Sequence, residues 1–316
     1  MSTPRMTTGI MLALVCLFIL GVMPVIANSR PGDFDALSFA VLLSVWQVVF
    51  AVPLFAWGLR GADKGIFSAQ LEPGEQRRAL WVAVLTGAMF GLSTYLYVLG
   101  VERAGAVSAA IAIQAYPLFA ILWETVFLKR RKTPVELILT AMLIGALYFL
   151  ATGGTGRIEG FSPWFLLALG VPFLWSIAHV IIKEELGRTP VTPAQVTFFR
   201  VLISAIFLGL VIAVIDPSGF AAAVQRPEFQ LFGIVMGLVY YLELIIWFHA
   251  VRHIDVSLAS SITTPWPAVT MVLAIIFLDD RVEIHQIVAF VIVAASIYGL
   301  LVVGLRKEKR QAAASS

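Results

Sequence analysis

Apolar residues fall into ten long stretches, separated by short segments that carry charged or helix-breaking residues. A bilayer core of about 30 Å needs roughly 20 helical residues to cross it. The first stretch has roughly 18 apolar residues, longer than the apolar core of a cleavable signal peptide, so we interpret it as a retained helix. The pattern predicts an all-α, polytopic membrane protein with ten transmembrane helices, at residues 10–27, 37–59, 80–101, 107–128, 135–152, 164–182, 194–215, 231–251, 256–278 and 287–305.

Basic residues are distributed unevenly between the two sets of loops. When the loops are taken alternately, 16 of the 22 Lys and Arg residues lie on the side of the N-terminus. Five lie on the opposite side, and Arg200 lies within a predicted span. Short cytoplasmic loops are enriched in Lys and Arg, so both termini are expected in the cytoplasm. An even number of helices satisfies this expectation.

The composition excludes an ordinary soluble domain. Hydrophobic residues make up 60% of the chain and charged residues 13%, and the mean hydropathy is +0.93, whereas soluble domains have about 25% charged residues. The pI of about 9.1 arises from short loops and a terminal tail, so we expect contacts with anionic membrane lipid and none with nucleic acid. Cys16 is the one cysteine, which leaves no disulfide framework or thiolate metal cluster; we interpret it as packing against lipid or a helix.

Weak internal similarity relates the two halves of the chain. Matched residues are Leu12–Leu14 with Leu167–Leu169 at a spacing of 155, and Gly87, Pro117 and Tyr148 with Gly237, Pro267 and Tyr298 at a spacing of 150. The change of spacing falls where loop 2–3 is longer than loop 7–8. We therefore predict two repeats of five helices, at residues 1–155 and 156–316. Because five is odd, the second repeat must enter the membrane in the opposite direction, as is typical of secondary transporters.

Two segments make this pattern resemble a known family. They are "AGAVSAAIAIQAYPLFAILWETVFLKRRKTPVELI" and "IDVSLASSITTPWPAVTMVLAIIFLDDRVEIHQIV". They are similar to the EamA type of the drug/metabolite transporter superfamily, and the resemblance covers about residues 8 to 305. Lys129 and Asp279 stand where members usually have a Glu, and Arg200 fits a position that is often Arg, although its first-half counterpart is Val45. The resemblance implies export of amino acids or similar metabolites across the cytoplasmic (inner) membrane.

Glu243 is the strongest candidate for chemistry, because it lies near the middle of the predicted eighth helix. A carboxylate at this depth costs about 3 kcal/mol unless it is compensated. Tyr240 and Trp247 lie on the same helix face. Glu243 either binds substrate or a proton, or is a structural residue that is protonated or paired with Arg. Arg200 is then either its counter-ion or a ligand for an anionic substrate, with a lipid phosphate as the alternative partner.

Prolines mark the fourth and ninth predicted helices near their midpoints. Pro117 and Pro267 remove amide donors at matching positions, and Pro265 adds a second interruption. They either form packed kinks or allow bending during transport. Gln114, Tyr116 and Trp266 are candidate side chains of the cavity.

Glu124 and the histidines are the remaining candidate site residues. Glu124 fits an interfacial ion pair. His179, His249 and His253 do not have the spacing of a metal site, so we expect no metal and no cofactor.

No nucleotide-binding loop or hydrolase motif is present, and the loops are too short for a nucleotide domain. We therefore expect a secondary transporter that moves a small-molecule substrate by alternating access, as a monomer or homodimer. A carboxyl group such as that of Glu243 could couple this transport to protons. The alternatives are a membrane-embedded enzyme acting on lipid, which would need clustered acids or histidines near one interface, and a membrane scaffold, which would leave Glu243 unexplained.

Overall fold

The computed structural model describes residues 3–60, 64–67, 72–116, 118–119, 122–123, 133–188, 190–254, 259 and 262–315. Over these residues the chain is all-helical. Its eleven α-helices are α1 (Thr3–Asn28), α2 (Ala36–Leu59), α3 (Pro73–Ala104), α4 (Ala106–Ile113), α5 (Pro134–Ala151), α6 (Pro163–Arg188), α7 (Pro193–Ile215), α8 (Pro217–Val224), α9 (Pro227–His253), α10 (Trp266–Phe277) and α11 (Ile284–Ser315). Two short 3-10 helices, at Gly65–Phe67 and Ile158–Gly160, lie in the connections.

Seven of these helices are long and apolar enough to cross a membrane: α1, α2, α3, α5, α7, α9 and α11. Shorter apolar helices occur at Pro163–His179 and Trp266–Phe277. Within the predicted span 256–278 a turn at residues 264–265 separates helical residues 262–263 from α10, so the predicted interruption at Pro265 is present. The second part of the predicted fourth helix, with Pro117, Glu124 and Lys129, lies largely outside the described residues.

Local sequence signals fix where several helices begin. The Asp35 side chain accepts hydrogen bonds from the amides of Leu37 and Ser38 and so caps α2. Thr133 forms a capping box with Glu136 at the start of α5, and Thr192 forms one with Gln195 at the start of α7. These caps satisfy amide donors that have no partner within the helix, which is needed most near a membrane.

The helices pack in a pattern that matches one half with the other. Helix α1 packs on α9 and α6 on α3, whereas α2 packs on α9 and α7 on α3. The remaining major pairs, α2 with α7 and α5 with α11, each join equivalent helices of the two halves. Exchanging the halves therefore leaves the set of main helix pairs unchanged.

Contacts along these pairs give the relative directions of the helices. Gly87 lies against Ile203 and Gly91 against Phe207, so α3 and α7 run parallel. In the equivalent pair, Gly233 lies against Leu42 and Gly237 against Gln47, so α9 and α2 are parallel as well. The glycines matter here because a β-carbon at Gly87 or Gly237 would overlap the facing helix.

The other two equivalent pairs run antiparallel. Gly9 lies against Ile254 and Cys16 against Glu243, which orients α1 opposite to α9. Gly100 lies against Ala168 and Ser93 bonds Trp175, which orients α3 opposite to α6.

One end of the helix bundle is closed by the short connection between α1 and α2. Arg30 is buried there; it donates to the carbonyls of Ala27 (2.6 Å) and Phe34 (2.9 Å) and forms an ion pair with Glu102 at the end of α3. Its guanidinium also lies 5.5 Å from the ring centroid of Phe39. This one side chain therefore contacts the connection and three helices, α1, α2 and α3.

A second ion pair at the same end links the connection to the other half of the chain. Arg226 contacts Asp33 and lies over the ring of Phe229, which stacks on Phe34 at 4.0 Å. The hydrogen bond from Arg226 lowers the pKa of the Asp33 carboxyl below its usual value. The pair is therefore present at neutral pH and is lost as the pH falls through that lowered pKa. Both partners are exposed, so the stacked rings contribute more to this contact than the charges do.

Replacement of Arg30 tests its role in closing this end. Arg30→Gln should lower the free energy of unfolding by about 2 kcal/mol, because two backbone carbonyls and Glu102 lose their donor. The matched control is Arg103→Gln, since Arg103 contacts the same Glu102 at 3.0 Å but is half exposed. Thermal unfolding of the purified variants in detergent measures the difference. Equal effects of the two substitutions would contradict a special role for Arg30.

Candidate functional site

Two interruptions of helical structure meet at the centre of the molecule. Helix α4 ends at Ile113 and is followed by a turn at Gln114–Ala115; a turn at Thr264–Pro265 precedes α10. The two turns are separated by 150 residues, the spacing of the internal repeat. The Gln114 side-chain amide donates to the Thr264 carbonyl over 2.7 Å. An interrupted helix leaves backbone groups unmatched, and this bond satisfies one of them inside the protein.

Pro267 was expected either to form a packed kink or to allow bending. It lies in the first turn of α10, where its missing amide donor costs nothing, so it does not itself interrupt the helix. Pro265 is the N-cap residue of α10 and lies in the turn itself. Pro117 lies outside the described residues. The interruption is thus a true break between two helical segments, centred on Thr264 and Pro265.

Glu243 lies deep in α9, about 15 Å from the nearer helix end at about 1.5 Å per residue. The Cys16 thiol of α1 contacts its Oε1 atom at 3.6 Å, and this is its one hydrogen-bond partner in the described part of the chain. Cys16 therefore faces a helix and not lipid. Glu243 is half-buried, and its side chain lies where α9 packs against α1.

Arg200 is buried inside the helix bundle. It is 7% exposed, and its guanidinium carbon lies 3.4 Å from the ring centroid of Phe90 in α3. The direct ion pair with Glu243, one of the predicted alternatives, is absent, since among the described residues no Arg200 nitrogen lies within 4.0 Å of a carboxylate oxygen. Arg200 also lines an apolar pocket together with Val82, Thr86, Ile182, Val196 and Phe199.

Tyr240 is a buried residue of α9 that lies next to Glu243. It is one turn from Glu243 in α9, is 2% exposed, and lies 6.2 Å from the ring of Tyr97 in α3. Neither phenol oxygen has a hydrogen-bond partner within 3.5 Å in the described structure, although Thr94 is close to the Tyr240 hydroxyl. Two buried hydroxyls without partners are costly in a folded protein. They are expected where a ligand or water supplies the missing bonds.

Sequence reasoning did not identify the side of this site that α3 and α6 contribute. Phe90 and Tyr97 come from α3; His179 and Trp175 come from α6, and the His179 ring lies 5.5 Å from Phe90 and 5.8 Å from Tyr116. A signal was present in the repeat. At the spacing of 150 residues, Phe90, Ser93 and Tyr97 correspond to Tyr240, Glu243 and Trp247. The equivalent residues Phe90 and Tyr240 thus both line the site, whereas Trp247, the equivalent of Tyr97, does not.

The remaining predicted residues occupy different places. Tyr116 joins the site through His179. Trp247 packs away from it, against Ala13, Ala250 and Ala259, between α1 and α9. Trp266 is buried in the main core near Gly21. Among the described residues no three His, Cys, Asp or Glu side chains are grouped closely enough to hold a metal ion.

Similarity to a solved structure supports this architecture. A crystal structure of a protein aligns with a TM-score of 0.62 at 17% identity, covering 94% of this chain and 98% of that one. At this identity the likeness shows a shared fold.

Two curated relatives are exporters. The pseudopaline exporter CntI of Pseudomonas aeruginosa is 30% identical over 117 residues, which are 37% of this chain and 38% of the exporter. The probable terminal-alkyne amino-acid exporter of Streptantibioticus cattleyicolor is 26% identical over 243 residues, covering 76% of this chain and 78% of that protein.

A family model extends over most of the sequence. The EamA-like transporter family matches residues 7–152 and, a second time, residues 162–302. Two matches in succession indicate duplicated halves, in agreement with the repeat and with the matching helix pairs. The chain therefore belongs to the EamA-like transporter family of the drug/metabolite transporter superfamily, a family of multi-pass membrane transporters and not of enzymes.

Proposed function

We propose that this protein is a secondary transporter that exports a small metabolite, an amino acid or a related compound, across the cytoplasmic membrane. One observation carries the proposal: Arg200, Glu243, Tyr240 and Tyr97 converge from both halves without being paired to one another. Polar groups inside a membrane protein normally pair, and groups that do not pair mark a substrate or ion pathway. The exporter relatives named above support the direction and the substrate class.

We also propose ten spans in two inverted repeats, residues 1–155 and 156–316, with both termini in the cytoplasm. The helix contacts support this topology. Helix α1 runs antiparallel to α9 and α3 antiparallel to α6, and Phe55 near the end of α2 stacks on Phe198 near the start of α7. The excess of Lys and Arg on one side supports the orientation.

The helix breaks at Gln114–Ala115 and Thr264–Pro265 serve as the hinge for alternating access. Gln114 and Thr264 join the two breaks where the halves meet, and Pro265 prevents the second break from closing into a regular helix. Rocking of one half against the other about this point would expose the central site to each side in turn. Pro117 and Pro267 keep a role in gating only as neighbours of the breaks.

Transport by the purified protein tests the function directly. Proteoliposomes are loaded in turn with amino acids, nucleosides and organic cations, and release of each labelled compound is followed. The proposal requires saturable release of at least one compound. Absence of saturable transport for every compound, with correctly inserted protein, would contradict it.

Cysteine labelling tests the topology. Lys64→Cys and Ile158→Cys, each in a Cys16→Ser background, place single thiols in exposed connections before α3 and after α5. In intact cells a membrane-impermeant maleimide should label position 158 and leave position 64 unlabelled until the cells are opened. Labelling of both positions from outside would exclude the proposed arrangement.

Replacement of Gln114 tests the hinge. Gln114→Leu removes the bond to Thr264 and should slow transport about fivefold, the equivalent of one hydrogen bond of about 1 kcal/mol. Gln286→Leu is the matched control, because Gln286 also bonds across helices, to Ser108 at 3.0 Å, but away from the breaks. If both variants transport at the same rate, the bond between the breaks has no part in gating.

Replacement of Glu243 tests proton coupling. Glu243→Gln keeps the shape of the side chain and should lower transport at least about tenfold, and any dependence on a pH gradient should disappear. Glu228→Gln, an exposed acid in the first turn of the same helix, should change neither property. Intact transport together with a large loss of thermal stability would identify Glu243 as a structural residue.

A further inference from the structure

We infer that the central site binds a zwitterion, with the carboxylate of the ligand on Arg200 and its ammonium group on Glu243. This inference rests on the proposed function and names the chemical class of the substrate. In this inference Arg200 and Glu243 bind opposite ends of one ligand and do not pair with each other.

The surroundings of Arg200 favour a carboxylate. A guanidinium carries five N–H donors in a planar fork, and in the described structure none of those of Arg200 has a hydrogen-bond acceptor. Phe90 covers one face of the group, which leaves its edges available. Two parallel N–H bonds to a carboxylate are the contact that an Arg edge makes best. The Tyr240 hydroxyl, which lacks an acceptor, is placed to add a third donor.

The surroundings of Glu243 favour an ammonium group. Its carboxylate receives one weak contact, from the Cys16 thiol at 3.6 Å, so most of its acceptor capacity is unused. An ammonium ion has three donors and no acceptor, and the aromatic rings of Tyr240 and Tyr97 nearby suit a cation as well.

The separation of the two charges fits a ligand between them. They are more than 4.0 Å apart, which excludes a direct ion pair. Arg200 contacts Phe90, and Tyr240, one turn from Glu243, lies beside Tyr97; Phe90 and Tyr97 are two turns apart along α3, about 10 Å at about 1.5 Å per residue. Charged hydrogen bonds of about 2.8 Å at each end would leave room between the side chains for the short backbone of an amino acid.

The charge balance of the site points to the same class. Arg200 and Glu243 together carry no net charge, and a zwitterion adds none. An anion or a cation alone would satisfy one side chain and leave the other uncompensated inside the membrane. The site is therefore selective for ligands that carry both charges.

The experiment removes charges from the ligand and from the protein in turn. The probes are L-alanine, L-leucine, L-glutamine and L-tryptophan, each with its methyl ester, which lacks the carboxylate, and its N-acetyl derivative, which lacks the ammonium group. Binding is measured by the ligand-induced shift of the thermal unfolding temperature of the purified protein. At least one amino acid should bind, and its two derivatives should bind at least about tenfold more weakly.

The variants then assign each charge. In Arg200→Gln the amino acid and its ester should bind equally, whereas the preference over the N-acetyl derivative remains. In Glu243→Gln the reverse should hold. The double variant keeps the site neutral and should show neither preference, and its cooperative thermal unfolding transition shows that it is folded. Glu228→Gln should behave like the parent protein.

Three results would overturn the inference: no amino acid binds, a derivative with one charge binds as tightly as the zwitterion, or both preferences persist in the variants. Saturable transport of a compound with a single charge would leave the proposed function intact and refute the zwitterion site alone.

Discussion

Every backbone amide and carbonyl in a membrane must find its partner within the protein, and this constraint organises the structure. It makes each crossing segment a helix and allows a helix to stop only where other protein groups replace the lost bonds. The chain stops helices at its centre, and the Gln114 amide supplies a donor to the Thr264 carbonyl at 2.7 Å. Because the two breaks are 150 residues apart, the bond joins equivalent points of the duplicated halves. This bond lies where the two halves are related to each other. A small change in backbone geometry there affects both halves at once.

The same constraint applies to side chains. Arg200 and Glu243 are held among aromatic rings at the centre of the protein, although neither is paired with the other. Elsewhere the protein pairs its buried charges readily, as Arg30 does with Glu102 and two carbonyls at the closed end of the bundle. The contrast between these two arginines is informative. Arg30, which holds the fold together, is fully bonded; under the proposed function, Arg200 and Glu243 keep their bonding capacity for the substrate.

Hydropathy and repeats predicted much of this protein, but not how its helices are rotated. The spans of α2, α7 and α9 follow from apolar length, and Glu243 is identified by its depth alone. Neighbouring residues such as Ser44 and Val45 look alike to such a pattern, yet Ser44 is fully buried and Val45 is 43% exposed. Lipid is as apolar as the protein interior, so apolar residues do not report which face points inward. Polar residues do indicate which helix face points inward. The internal repeat pairs Phe90, Ser93 and Tyr97 with the face of α9 that carries Glu243, so the sequence contained this information.

Local chemistry explains what the sequence left open. Interruptions were expected at Pro265 and Pro267; two prolines so close together end one segment and begin another, so the break falls at Thr264 and Pro265. Arg200 was expected to be a counter-ion of Glu243, a substrate ligand or a partner of a lipid phosphate, and the direct pair with Glu243 is absent from the described structure. The ring of Phe90, on a helix distant in sequence, holds Arg200 instead. Contacts of this kind depend on tertiary packing, which one sequence does not encode in any local pattern.

Alternation of access between the two sides is the central claim, and distances across each end of the protein test it most directly. Spin labels at Arg103 and Ser218 report on one end, and labels at Lys64 and His253 on the other; all four positions are exposed. Double electron–electron resonance in a Cys16→Ser background gives both distances, with and without a transported substrate. The account predicts that substrate lengthens one distance and shortens the other. Two distances that stay unchanged at saturating substrate, or that change in the same direction, would contradict it.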